Sequence, residues 1–149
     1  MKVLTGIDII EINRIKESID SLGESFKERI YTKKEIEYCE NRKNAKYQHY
    51  AGRFAAKEAI FKAVSELLDD KFEISWKDAE VLDDENGKPR ITFTSKKLEE
   101  KIESIDISIS HCKEFAVANV VIICVWKIKK EKKWIYLIHI HIIMMKNLI

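Results

Sequence analysis

Two acidic side chains stand out in this sequence because each lies among residues that favour burial. Asp8 interrupts an apolar segment near the N-terminus, and Glu58 lies four residues before Lys62 in an alanine-rich segment. A carboxylate in apolar surroundings costs free energy unless a cation meets it. A bound divalent metal ion is the simplest such cation. The alternatives are a solvent-facing Asp8 and an exposed Glu58–Lys62 ion pair contributing about 0.3 kcal/mol.

Two predicted elements must position these side chains. Residues 2–12 are rich in Val and Ile, which favours a strand whose two-residue period places Asp8 on the same face as Gly6. Glu58 falls in a predicted helix from about Tyr47 to Leu68, with apolar residues on two sides. A helix of this kind is typical of a central position, so we expect it to lie in the core.

Three shorter helices are predicted between that strand and the long helix. Asn13 is a suitable N-cap and Gly23 a suitable terminator for the first helix. A second short helical stretch lies around Phe26 and Ile30, and residues 32–35 (TKKE) have the spacing of a capping box before the third.

Strand patterns dominate the second half of the chain. The predicted strands are residues 79–82, 91–94, 105–111 and 115–123. An Asn-Gly pair in the polar stretch after the first of them is a strong turn signal and predicts a hairpin. Ser95 is a suitable cap for a short helix through Leu98 and Ile102. The order strand, helices, hairpin, helix, hairpin predicts an α+β fold with an antiparallel sheet.

Bulk composition limits the classes of function. A length of 149 residues suits one domain, and a net charge of +2 gives no global footprint of a nucleic-acid-binding protein. Three cysteines without C-x-x-C spacing argue against a disulfide scaffold or zinc site and favour a reducing compartment. The N-terminal apolar run is too short for a secretory signal. We therefore expect a cytoplasmic protein that spans no membrane and binds no nucleic acid.

The last 26 residues, 124–149, differ in character from the rest of the chain, and we predict a domain boundary after residue 123. A basic run at residues 127–133 precedes an apolar stretch at residues 134–145, which is shorter than the ~20 residues that a membrane helix needs. This tail fits an extra helix or strand, an oligomer contact, a membrane or nucleic-acid contact, or an anomalous reading-frame product.

Four separated motifs together point to a known family. They are residues 6–11 (GIDIIE), 53–59 (RFAAKEA), 86–89 (NGKP) and 108–111 (SISH). In this order and spacing the chain resembles the holo-acyl-carrier-protein synthases, the small bacterial type of 4′-phosphopantetheinyl transferase, over residues 3–123. The resemblance implies an α+β fold in which a small antiparallel sheet packs with a long central helix and shorter helices. It also implies a homotrimer with active sites at subunit interfaces.

The reaction implied by the resemblance is a Mg²⁺-dependent transfer of 4′-phosphopantetheine from coenzyme A to a serine of apo acyl carrier protein, with release of adenosine 3′,5′-bisphosphate. Asp8 and Glu58 match the family's metal ligands, and Mg²⁺ favours a couple of carboxylates completed by waters and phosphate oxygens. Lys62 matches the catalytic lysine, which could neutralise or protonate the leaving group. Glu58 is also a candidate base for the carrier serine.

Further residues match family positions that contact the co-substrate or the carrier protein. The resemblance places the following residues beside coenzyme A: Arg53, Lys57, Gly87, Lys88, Pro89 and His111. Arg14 on the first helix is the implied contact for the acidic carrier protein, and Lys16 is a weaker one. The default carrier is that of primary metabolism, in fatty acid biosynthesis.

The alternative from a different class is a catalytically silent module that binds coenzyme A or a carrier protein. Such a module would keep the basic side chains and could dispense with Asp8, Glu58 or Lys62. All three residues are present, which favours the enzyme.

Overall fold

The computed structural model describes residues 1–68, 74–94 and 96–124, apart from the side chain of residue 97. Within these residues the chain forms five strands and five α-helices. In chain order they are β1 (Lys2–Glu11), α1 (Ile12–Leu22), α2 (Glu24–Ile30), α3 (Lys33–Glu40), α4 (Lys46–Val64), β2 (Ala79–Asp83), β3 (Pro89–Phe93), α5 (Lys96–Glu99), β4 (Ile102–His111) and β5 (Phe115–Cys124). Across these ranges, every helix is too short or too polar to cross a bilayer.

The strands form two antiparallel sheets. In the larger sheet, β5 is central and pairs with β1 on one side and β4 on the other, so that Ala118 lies opposite both Asp8 and Ile109. The other sheet consists of β2 and β3 alone, joined by a turn in which Gly87 has a φ of 77°. That left-handed value explains the glycine after Asn86. The predicted α+β class and both predicted hairpins are confirmed.

Helix α4 is the centre of the fold. Residues 50–60 are all buried, and the helix packs against β1 and β5 of the larger sheet while also touching α1, α3 and β2. The side chains at positions 55, 56, 59 and 63 are alanines, and their small size allows neighbouring backbones to approach the helix closely. The prediction that this helix is central is confirmed.

The larger sheet has one face on α4 and one face open. Along β1, Leu4 and Ile10 point to the core, whereas Ile7 and Ile9 are 60% and 63% exposed. This alternation follows from the two-residue period of a strand. The open face therefore carries large apolar side chains, which is typical of a surface that contacts another protein.

The start of α1 differs from the prediction. The helix begins at Ile12, so Asn13 lies in its first turn instead of capping it, and its side-chain Nδ2 donates to Glu17 at 2.6 Å. The predicted capping box of α3 is confirmed, with Thr32 and Glu35 satisfying each other's backbone N–H groups.

Two predictions concern residues outside the described ranges. They are the prediction that Ser95 caps α5 and the predictions for the tail, residues 124–149. Of the tail, only Cys124 is described, and it is the last residue of β5. The predicted extension of α5 to Ile102 is wrong, because that residue pairs with Cys124 at the start of β4. The domain boundary after residue 123 stays a prediction.

Candidate functional site

Strand β1 and helix α4 touch backbone to backbone at Gly6. A Cβ atom on Gly6 would overlap the carbonyl oxygen of Ala59 and lie 2.9 Å from the amide nitrogen of Ala63. Only glycine fits this crossing. Two residues further along β1, Asp8 points to the same face and therefore lies beside the last turns of α4.

Lys62 joins the two elements by direct contacts. Its Nζ donates to Asp8 Oδ1 at 2.8 Å and to the carbonyl oxygen of Ile7 at 2.9 Å. The Asp8 side chain is only 15% exposed, whereas that of Lys62 is 48% exposed. Lys62 thus forms an ion pair with the acid of the strand, which the alternative of a simple helix-surface pair with Glu58 did not include.

Glu58 lies one helical turn before Lys62 and is 1% exposed. Burial, and next the negative charge of Asp8, raise the pKa of Glu58 to about 8, while Lys62 opposes the shift. The electrostatic effect of Asp8 on Glu58 means that the two carboxylates, distant in sequence, converge in the fold. We call Asp8, Glu58 and Lys62 the carboxylate cluster.

The chemistry of this cluster fits a magnesium ion. Within the described part of the chain no group of three or more His, Cys, Asp or Glu side chains gathers to hold a metal ion. Mg²⁺, however, typically takes one or two protein carboxylates and fills its other positions with waters and substrate phosphates. Glu58, whose pKa is raised first by burial and then by the charge of Asp8, forms with Asp8 a donor set whose ionised form such a cation would stabilise.

A second group of polar side chains surrounds Arg53, which is 3% exposed. Its Nη2 donates to Asp83 Oδ1 at 3.0 Å, and its Cζ lies 3.7 Å from the ring centroid of Tyr38. Its Nε is buried and has no hydrogen-bond partner among the described residues. This guanidinium is held rigidly by an acid and an aromatic face.

Tyr38 links Arg53 to two histidines. Its hydroxyl donates to Asp83 and lies 3.3 Å from Nδ1 of His49, whose ring is 6.2 Å from that of His111. We call the following residues the Arg53 cluster: Tyr38, Arg42, His49, Arg53, Asp83 and His111. Arg42 belongs to it because its Cζ lies 4.4 Å from the Tyr38 ring centroid.

Sequence reasoning found Arg53 and His111 and missed the other four members. Tyr38 and His49 lie eleven residues apart on different helices, and Asp83 ends β2. No spacing rule joins them, because their contacts depend on how α3, α4 and β2 pack. The four-residue spacing of Tyr38 and Arg42 was the one signal available in the sequence.

The predicted hairpin contacts lie at the tip between β2 and β3. Lys88 forms an ion pair with Asp106 of β4 at 2.9 Å, and Pro89 lies opposite Asp83 in the strand register. Gly87 is exposed and has no neighbour near its Cα that would restrict approach. Through Asp83, the hairpin is continuous with the Arg53 cluster.

Lys57 occupies a different place from the one expected of a phosphate ligand. Its side chain is 1% exposed and forms an ion pair with the fully buried Glu35 at 3.0 Å. Its Nζ also donates to the carbonyl oxygens of Trp76 and Ala79. A phosphate contact would require these bonds to break inside the core, which argues against the expected contact of Lys57 with coenzyme A.

The two predicted carrier contacts lie on α1. Arg14 is partly exposed, whereas Lys16 is exposed and forms an ion pair with Asp20 at 2.6 Å. Tyr47 at the start of α4 donates to the same carboxylate at 2.8 Å. Arg14 is therefore the freer of the two for a partner, because Lys16 is held by the Asp20 carboxylate.

The two clusters lie on different sides of α4. At 3.6 residues per turn and 1.5 Å rise, Arg53 and Glu58 are about 140° apart around the helix and about 7.5 Å apart along it. Arg53 and Lys62 are about 180° and 13.5 Å apart. A single chain therefore presents its carboxylates and its Arg53 cluster on different sides of α4.

Comparison with known proteins defines the class. The family model of the 4′-phosphopantetheinyl transferase superfamily matches residues 5–120, and the chain belongs to this family. Within it, the chain is similar to the holo-acyl-carrier-protein synthase of Ruminiclostridium cellulolyticum, with 44% identity over 82% of this chain and 92% of that protein. It is 46% identical to that of Halothermothrix orenii, over 78% of this chain and 93% of that protein.

Solved structures agree with these relatives. A holo-acyl-carrier-protein synthase from Bacillus anthracis in complex with coenzyme A (3′,5′-ADP) has a TM-score of 0.66 and 43% identity, covering 80% of this chain and 94% of that one. The Helicobacter pylori synthase in complex with coenzyme A has a TM-score of 0.68 and 35% identity, covering 80% and 99%. The resemblance inferred from the four motifs and the fold that it implies are confirmed.

Proposed function

We propose that this protein transfers 4′-phosphopantetheine from coenzyme A to a serine of apo acyl carrier protein. The observation that carries the proposal is the convergence of Asp8, Glu58 and Lys62 across the β1–α4 crossing. It is supported by the holo-acyl-carrier-protein synthases that the chain resembles over most of its length, two of them with coenzyme A bound. A silent binding module would have no use for a lysine bonded to one partly buried carboxylate and one helical turn from a fully buried one.

The residues of the carboxylate cluster divide the reaction between them. The serine oxygen attacks the phosphorus that bears pantetheine, a new P–O bond forms, and the bond to adenosine 3′,5′-bisphosphate breaks. Glu58 is the proposed base that takes the serine proton. Its pKa is raised to about 8 by burial and by Asp8, and a cation bound beside it would lower that pKa and leave the carboxylate ionised for this role. Lys62 is the proposed cation beside the departing bisphosphate, where it balances the developing charge.

Mg²⁺ is the proposed cofactor, with Asp8 and Glu58 as its protein ligands. When bound, such an ion neutralises negative charge on the diphosphate and lowers the barrier to its cleavage. Its charge would offset the mutual repulsion of the two carboxylates.

The Arg53 cluster and the hairpin tip are the proposed contacts for coenzyme A. Arg53 and His111 would meet phosphate groups, for which a fixed guanidinium is well suited. Gly87, Lys88 and Pro89 would approach the adenine side. Lys57 is left out of this set because it is committed to Glu35.

A homotrimer with active sites between subunits is the proposed assembly. The open apolar face of the larger sheet offers a surface for a second copy. The separation of the two clusters around α4 supports shared sites, because one diphosphate can reach both kinds of group more easily when they come from neighbouring subunits.

The carrier protein is proposed to dock on α1, with Arg14 as its main contact. An acidic carrier would favour this partly exposed guanidinium. We also propose a place in fatty acid biosynthesis in the cytoplasm. The three free thiols, Cys39, Cys112 and Cys124, suit a reducing compartment.

The activity is tested by incubating the protein with apo acyl carrier protein, coenzyme A and Mg²⁺, and measuring the carrier's mass. We expect the mass of one phosphopantetheine group to be added. Asp8→Asn and Glu58→Gln should abolish the transfer and its Mg²⁺ dependence while preserving the fold. Glu99→Gln, which changes an exposed acid on α5, is the matched control. Coenzyme A binding without any transfer by the wild-type protein would instead support the silent module.

The assembly is tested by size-exclusion chromatography with light scattering, which measures the mass of the particle in solution. We expect a mass near three times 17.5 kDa for the wild-type chain and a monomer for Ile7→Glu, which places a charge on the open face. Leu22→Glu changes an exposed apolar residue of α1 and should keep the trimer. A wild-type monomer that transfers the group at full rate would refute shared active sites.

A further inference from the structure

The buried ion pair of Lys57 and Glu35 has no part in the carboxylate cluster. Both side chains are withdrawn from water, at 1% and 0% exposure, and their Nζ and Oε2 atoms are 3.0 Å apart. Burial lowers the pKa of Lys57, and the charge of Glu35 opposes this shift. Removing two charges from water is costly, and apolar residues often replace such a pair without loss of stability. Stability alone is therefore a weak reason for it.

Besides the capping box of α3 and the carbonyl oxygen of Trp76, the pair bonds to the backbone of β2. Glu35 Oε1 accepts from the backbone N–H of Val81 at 2.8 Å, and Lys57 Nζ donates to the carbonyl oxygen of Ala79. Alternate residues of a strand direct their backbone polar groups to the same edge. Glu35 and Lys57 thus hold the edge of β2 that β3 does not occupy, in the place of a third strand.

The same strand ends at Asp83, which orients Arg53. One carboxylate oxygen of Asp83 accepts from Arg53 Nη2 at 3.0 Å, and the other accepts from the Tyr38 hydroxyl. Lys57 and Arg53 lie one turn apart on α4 and contact opposite ends of β2, at Ala79 and Asp83. A shift of β2 along α4 would therefore move the acid that holds the guanidinium.

We propose that Glu35 and Lys57 are positioning residues for coenzyme A, which fix β2 so that Asp83 aims Arg53 at the substrate phosphates. This inference rests on the proposed function of the Arg53 cluster as the coenzyme A site. It assigns Lys57 an indirect role in place of the phosphate contact expected from the sequence. Neither residue touches the reacting atoms.

The test is a double-mutant cycle between Glu35→Gln and Arg53→Met. The Gln variant keeps the shape of the side chain and removes the charge that Lys57 requires. We expect it to raise KM for coenzyme A about tenfold, with kcat within about twofold of wild type, because residues in one network are coupled. In the Arg53→Met background the same change should raise KM by less than about twofold.

A second variant and a control keep the outcome clear. Glu35→Gln with Lys57→Met leaves no buried charge without its partner and should show the same KM effect if the single variant does not fold. Ile122→Ala makes a cavity on β5 away from β2 and should lower the unfolding temperature without changing KM. Multiplicative effects of Glu35→Gln and Arg53→Met, or an unchanged KM in folded Glu35→Gln, would overturn the inference.

A direct binding measurement separates this inference from the proposed function. Calorimetry with coenzyme A gives its affinity for each variant without any transfer. If the wild-type protein transferred nothing while the cycle of affinities showed the same coupling, the proposed activity would fail and the positioning role would stand. If the wild-type protein transferred the group while the affinities showed no coupling, the positioning role would fail and the proposed activity would stand.

Discussion

The carboxylate cluster and the Arg53 cluster lie on the same helix and are built by different means. The carboxylate cluster depends on one backbone crossing, at which Gly6 touches α4 and brings Asp8 to Lys62. The Arg53 cluster is assembled from side chains of α3, α4, β2 and β4, with aromatic rings between its charges. The proposed catalytic geometry thus depends on one backbone contact that few substitutions can keep. The proposed coenzyme A contacts depend on the packing of several side chains.

The largest expected effect comes from Gly6→Ala. The added Cβ would overlap the Ala59 carbonyl group, so β1 must move from α4 and separate Asp8 from Glu58. We expect loss of transfer activity and a fall of about 3 kcal/mol or more in the free energy of unfolding, measured in urea.

The matched control for this change is Gly52→Ala, which lies on α4 near the Arg53 cluster. Its Cβ would lie 3.1 Å from the Cγ2 methyl group of Ile109, a side chain that can shift by a few tenths of an ångström. The gain of about 1 kcal/mol in helix propensity offsets that contact. Equal losses in the two variants would contradict a special role for the β1 crossing.

Lys62→Met and Arg53→Met should separate the two clusters kinetically. In the proposed mechanism Lys62 acts on the departing bisphosphate, so its loss should lower kcat by about 10²–10³-fold with little change in KM. Arg53 is proposed to hold phosphate in the ground state as well, so its loss should chiefly raise KM for coenzyme A, by about tenfold or more. Lys33→Met, at an exposed position of α3, is the control. If both variants lowered kcat alone, the two clusters would act in the same step and would not be kinetically separate.

Mixing these two variants tests whether the clusters of neighbouring subunits form one site. After joint refolding from urea, random assortment leaves about a quarter of shared sites with both residues intact. We therefore expect about a quarter of the wild-type rate at low coenzyme A, well above either variant alone. A rate equal to the mean of the separate variants would show that each site lies within one subunit.

Substitutions of Tyr38 test how much its aromatic ring contributes to coenzyme A binding by the Arg53 cluster. Tyr38→Leu removes the ring under Arg53 and Arg42 and should raise KM for coenzyme A about fivefold, since cation–π contacts contribute about 0.5–2 kcal/mol. Tyr38→Phe keeps the ring and loses only the hydroxyl bonds, so the rise should be about twofold. Equal effects would assign the role to the hydroxyl group.

The two clusters also differ in how far the sequence predicted them. Apolar surroundings marked Asp8 and Glu58, and the helix period joined Glu58 to Lys62, but the family resemblance was needed to join all three into one site. The fold class followed from the order of elements and from the turn at Gly87. Periodicity gave no sign that Asp83 would hold Arg53 or that Lys57 would turn inward to Glu35, because both contacts depend on the placement of β2 against α3 and α4.

The smallest expected effect concerns His49 and the charge around it. Burial first, then the charges of Arg53 and Arg42 and of His111, lower the pKa of His49, while Asp83 opposes them. The folded protein therefore takes up this proton at lower pH than the unfolded chain, whose histidine titrates near about 6.5. Stability from the neutral ring is fully present above that pH and is lost as the pH falls through the pKa of His49 in the folded protein.

Urea unfolding at pH 7.5 and pH 5.0 measures this contribution. His49→Gln should lose less stability between these two pH values than the wild-type protein, because it lacks the titrating ring. Arg42→Met should fall between them, since it removes one of the charges that lower the pKa of His49. If Arg42→Met and His49→Gln both lost as much stability between the two pH values as the wild-type protein, the positive charge of the Arg53 cluster would have no effect on the protonation of His49. The cluster would then be a set of separate contacts instead of one electrostatic unit.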